Sequence, residues 1–90
     1  MDSLQRTLSL IAGRPIDRLP SMPIIMLWGA ARYGYSYADY AGDHQVLCEC
    51  QLRLQEEFDL DILQLISDPV RETADCGAEM VYYADTPPRA

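Results

Sequence analysis

The sequence predicts an α/β fold with a parallel sheet of two or three strands, and three observations carry that prediction. Two short runs, "SMPIIML" (21–27) and "LDILQLI" (60–66), are apolar almost continuously rather than alternately, the pattern of strands covered on both faces. Between them, "HQVLCECQLRLQEEF" (44–58) repeats its apolar residues at helical spacing. The resulting order, helix, strand, helix, helix, strand, helix, strand, calls for right-handed crossovers between parallel strands.

Each element has a local reason. Asp2 or Ser3 caps a first helix with apolar positions Leu4, Leu8, Ile11 and Ala12, and Gly13 ends it. "GRPIDRLP" is an extended lead-in, because the residue before each proline avoids the helical region. Ser36, with Asp39 three residues on, opens a short helical turn that ends near Gly42. Asp43 caps the long helix, whose stripe is Leu47, Cys50, Leu54 and Phe58 with Val46 beside it; Gln51, Gln55 and Glu56 are expected to face outward. Asp68 and Pro69 suit the N-cap and first position of a short helix through Arg71. "CGAEMVYY" turns at Gly77 into a last short strand, and "ADTPPRA" is loop.

Composition narrows the function classes. Fourteen acids against seven arginines give a net charge of −7, with no lysine. Nucleic acid needs a basic footprint, so it is disfavoured, as are anionic membranes. No apolar run approaches the length of a membrane span. The N-terminus lacks the basic and apolar regions of a signal peptide, so Cys48, Cys50 and Cys76 read as reduced thiols of a cytoplasmic chain. Cys48 and Cys50 lie about 200° apart on a helix and make a poor metal pair, so no metal site is expected in this chain.

In parallel α/β folds ligands gather at the C-terminal ends of the strands. The two segments expected there are 28–37 and Ser67-Asp68-Pro69. They nominate Asp68 as a catalytic candidate and Arg32, Trp28, Tyr33 and Tyr35 as substrate-binding candidates, with Tyr37 as a further wall. Each has a structural alternative: Asp68 as a helix cap using one oxygen, Arg32 as a surface ion pair, and Tyr37 and Tyr40 as packing against the next helix. His44 reads as solvated, and Glu56, Glu57, Asp59 and Asp61 read as a solvated helix end.

These landmarks carry a family resemblance. The lead-in ends in an Arg-x-Pro, Arg18-Leu19-Pro20. Then come an apolar run ending in Ala30-Ala31-Arg32-Tyr33, the Ser36-Tyr37-x-x-Tyr40 helix, a second apolar run and the Ser67-Asp68-Pro69 turn. Over roughly residues 5–85 this order resembles the N-terminal part of the uroporphyrinogen decarboxylase superfamily, which includes corrinoid-dependent methyltransferases. The resemblance implies a (β/α)8 barrel with its site at the C-terminal mouth. Such a barrel needs about 250 residues. Residues 1–90 are therefore expected to form a single partial domain, the N-terminal portion of an incomplete TIM barrel.

The resemblance also assigns roles. Decarboxylases of the family carry Met-Arg-Gln-Ala-Gly-Arg-Tyr after the first strand, the first arginine binding substrate carboxylates. Here Trp28 stands at the first arginine and Arg32 at the second. A neutral indole cannot bind a carboxylate as a guanidinium does, which favours the methyltransferase-like branch. Asp68 matches the aspartate that faces pyrrole N–H groups in the decarboxylases. The methyltransferases imply zinc and a corrinoid protein partner, with zinc ligands in a C-terminal half that this chain does not contain. The readings are thus an N-terminal fragment or subunit of such an enzyme, inactive alone; a non-catalytic α/β module; a uroporphyrinogen decarboxylase of porphyrin biosynthesis; or an unrelated small α/β binding domain. The module would act by homo-oligomerising or by joining a complementary barrel fragment.

Overall fold

The computed structural model describes residues 1–89; Ala90, the last residue of the expected loop tail, lies outside the described residues. Five helices follow one another: α1 (Ser3–Ile11), α2 (Leu27–Arg32), α3 (Tyr37–Gly42), α4 (His44–Phe58) and α5 (Arg71–Asp75). The radius of gyration is 15.3 Å, against about 12 Å for a compact domain of this length. The molecule is open and elongated.

The caps act as local chemistry requires. Asp2 accepts from the Gln5 amide at 2.7 Å while the Gln5 side chain accepts from the Asp2 amide at 3.1 Å, a closed capping box. At the other end of α1, Gly13 takes φ +71°. Its amide bonds Leu10 O and the Arg14 amide bonds Ser9 O, which together satisfy the last carbonyls in a Schellman arrangement. Ser36 accepts from the Asp39 amide and Asp43 from the Gln45 amide, so α3 and α4 begin where their polar residues allow.

Helices α2, α3 and α4 pack on one another around Ala30, Tyr37, Tyr40, Ala41, Leu47 and Cys50, with Leu54 also fully buried. Gly29 makes the close approach of α2 to α4 possible. A Cβ there would lie 3.0 Å from Leu54 Cδ1 and 3.3 Å from Ile25 Cγ2.

The expected strands are not formed. Segments 21–25 and 62–67 carry no regular secondary structure; among the described residues no strand is present, and the one β pairing is an isolated antiparallel bridge between Val81 and Arg89. The two apolar segments do start side by side, since the amides of Asp61 and Ile62 both reach Ser21 O. Farther on, one carbonyl near the end of each is taken by side chains. Ile25 O accepts from the Tyr40 hydroxyl and from Gln51 Nε2, and Ser67 O accepts from the Tyr37 hydroxyl at 2.6 Å. A parallel ladder needs those same acceptors for a neighbouring strand.

Other expectations are corrected too. Leu27, expected to end the first strand, and residues 28–32, expected as loop, are helix, and the chain turns at Gly34, with φ +82°. Gln51 points inward and is 4% exposed, while Phe58, at the end of the expected stripe, is nearly half exposed. Asp61 is not solvated. Its side chain is fully buried and accepts from Ser3, Arg6, Arg18 and the Ser21 amide. Arg6 reaches Asp61 and Asp17 together, so α1 is anchored by its polar side. Leu4, Leu8 and Ile11 consequently face solvent.

Candidate functional site

Ser67 and Asp68 follow the second apolar segment and are almost completely buried, at 0% and 2% exposure. A buried carboxylate must find donors, and Asp68 has two. Its Oδ1 accepts from the Val70 amide at 2.9 Å and its Oδ2 from the Ser67 hydroxyl at 2.6 Å. Asp68 is not the N-cap expected of it, because α5 begins only at Arg71, with Val70 in the cap position and no side-chain capping bond. Ser67 Oγ in turn accepts from Arg71 Nη1 at 3.0 Å, and the same nitrogen donates to Ala41 O at the end of α3.

Asp68 and Arg71 line a cavity of about 90 Å³ with Gly42, Met80, Tyr82 and Pro88. The segment after α5 closes one side. Its turn is held by reciprocal Val81 and Arg89 backbone bonds, and Ala84 O accepts from the first amide of α3, that of Tyr37, at 2.6 Å. Tyr37 adds its ring beneath the turn. Burial, and then the charge of Asp68, push its hydroxyl above the ordinary tyrosine range, so it is a donor at neutral pH. A carboxylate has about four acceptor positions, and two of Asp68's are filled from its own chain. Among the described residues the chain's own donors do not take the other two, and Asp68 is among the residues that line the cavity.

The other candidates lie together elsewhere. Trp28 meets Phe58 with ring centroids 5.7 Å apart, and Arg32 stands 6.0 Å over the same Phe58 ring. Arg32 donates to both oxygens of Glu57, from Nη2 to Oε1 and from Nε to Oε2, and the Tyr33 hydroxyl donates to Oε2 at 2.8 Å. Arg53 lies over the Tyr33 ring, and the Tyr35 hydroxyl donates to Glu49. The charge pairing raises the pKa of Arg32 and lowers that of Glu57, whereas burial and then Glu57 raise that of Tyr33. Trp28, Arg32, Tyr33 and Tyr35 thus form one surface that pins α2 and the following turn to α4. None of them lines the cavity at Asp68.

Arg71 and Tyr82 are site residues that the sequence reading passed over. Arg71 had one local signal, a cation three residues after an aspartate at a helix start. Tyr82 had none, because its place depends on the chain folding back.

The thiols do not fit zinc. Cys50 is in the core, where burial pushes its pKa up, Cys48 is half-buried on α4, and His44 is exposed at the start of that helix. Among the described residues no group of three or more His, Cys, Asp or Glu is arranged to hold a metal ion. No helix among them is long and apolar enough to cross a membrane.

A family model described as uroporphyrinogen decarboxylase (URO-D) matches residues 2–90. Neither the curated proteins nor the solved structures give a match to the chain.

Proposed function

The chain belongs to the uroporphyrinogen decarboxylase family, and on that premise we propose that it supplies the N-terminal segment of a family barrel of the corrinoid-dependent methyltransferase type. The observation that carries this reading is the state of the two positions where decarboxylases keep arginine. Trp28 is neutral, and the charge of Arg32 is met by Glu57. A polycarboxylate porphyrinogen would find no uncompensated guanidinium there. Asp68, by contrast, is held as an acceptor beside a cavity, where it could serve a ligand's N–H groups.

The test is reconstitution. The chain would be co-folded with the C-terminal segment of a methyltransferase-type family member and given methylcobalamin and a thiol. Demethylation of the corrinoid that falls in Asp68→Ala supports the reading. Decarboxylation of uroporphyrinogen by the same sample, without methyl transfer, overturns it.

One observation favours a second reading, a non-catalytic module that works by self-association. Leu4, Leu8 and Ile11 of α1 and Ile24 of the first apolar segment stand in solvent, an arrangement that isolated chains avoid. A discrete dimer in solution, with no activity after reconstitution, would favour it.

A further inference from the structure

We infer that Arg71 is a positioning residue for Asp68, acting through the hydroxyl of Ser67; the inference rests on the reading that Asp68 meets the ligand. The geometry is a relay. Arg71 Nη1 donates to Ser67 Oγ at 3.0 Å, and Ser67 Oγ donates to Asp68 Oδ2 at 2.6 Å. A serine hydroxyl has one proton and a free rotor. With a guanidinium donating to its oxygen, that proton cannot turn toward Arg71 and is directed at Asp68. The carboxylate plane is then fixed at both oxygens, by Ser67 on one side and the Val70 amide on the other.

The arginine is itself held in place. Its Nη1 also bonds Ala41 O, a carbonyl in the last turn of α3 that favours a cation. The relay therefore ties the carboxylate to α3 as well as to α5. Ser67 is fully buried and Asp68 nearly so, which keeps water from substituting for either bond. In this arrangement Arg71 lines the cavity without having to touch the ligand.

The experiment uses the chain itself, labelled with ¹³C-aspartate, and reads two NMR signals. These are the Ser67 hydroxyl proton and the side-chain carboxyl carbon of Asp68, assigned with Asp68→Asn. In the wild type the hydroxyl proton exchanges slowly enough to be seen. Arg71→Met should speed its exchange at least about tenfold, the loss expected for a charge-assisted bond, and should move the Asp68 carbon signal. Arg71→Lys, which keeps a donor and a charge, should restore both.

Ser67→Ala keeps the bond from Arg71 to Ala41 and so keeps α5 docked. It should move the Asp68 signal in the same direction, and adding Arg71→Met to it should move the signal no further. A folded Arg71→Met chain with both signals unchanged would overturn the inference. If Arg71→Met does not fold, an unshifted Asp68 signal in Ser67→Ala overturns it alone. These readouts need no turnover, so failure of the methyl-transfer assay leaves them interpretable.

Discussion

Arg32 and Glu57, on different helices and 25 positions apart, neutralise each other on the face where α2 lies against α4. Tyr33 completes the pairing with a hydroxyl bond to the same carboxylate. The charge of Arg32 is therefore met within the chain.

Glu57→Gln should release that charge. Because the pair is exposed, its loss should leave thermal unfolding nearly unchanged. Binding of a tricarboxylate to Arg32, followed through its Nε–H signal by NMR, should appear in the variant and be absent from the wild type. Equal binding in both would show that Glu57 does not mask the arginine.

Acid should loosen α1 first. Asp61 is held well below the usual carboxylate range, chiefly by the Ser21 amide and also by Ser3, Arg18 and Arg6. Asp17 is held equally low, chiefly by Arg6. Because the folded chain keeps these protons off, its stabilisation is fully present above the unfolded value of about 3.9 and is lost as the pH falls below it. Unfolding followed by circular dichroism should show stability falling below about pH 4. Asp61→Asn should make that fall shallower.

Gln51→Leu removes the side chain that donates to Tyr40 Oη at 2.7 Å and to Ile25 O at 3.1 Å. The Tyr40 hydroxyl keeps its own bond to Ile25 O but loses its donor in a buried site. A cost of about 1–2 kcal/mol is expected in denaturant titration. An unchanged or raised midpoint would mean that the amide is replaceable by an apolar group of similar shape.

Leu54→Ala and Ile11→Ser should behave oppositely. Leu54 is fully buried beneath Gly29, so its truncation should cost about 3 kcal/mol, a large share of the stability of a small domain. Ile11 is 78% exposed, and its change should stay within about 0.5 kcal/mol. If α1 mediates self-association, light scattering will find a lower mass for Ile11→Ser than for the wild type.

What the sequence determined by itself was local. Asp2, Ser36 and Asp43 cap the helices expected of them because a side-chain oxygen and an amide two or three residues on meet whatever else the chain does. Tyr37 and Tyr40 pack inward as expected, and Asp68 binds the Val70 amide and lines a cavity, though Val70 rather than Asp68 holds the N-cap position of α5. The ordered landmarks were sufficient to point to the family. Tertiary structure decided the rest, because hydrogen-bond partners distant in sequence leave no periodic trace. Apolar runs at 21–27 and 60–66 read as strands, yet a strand requires a neighbour, and here Tyr40 and Gln51 occupy Ile25 O and Tyr37 occupies Ser67 O, acceptors that a neighbouring strand would use. Asp61 looked like one more acid at a helix end until Arg6, 55 residues earlier, was placed against it. Burial of that pair turned α1 so that its polar side, not its leucines, faces the molecule.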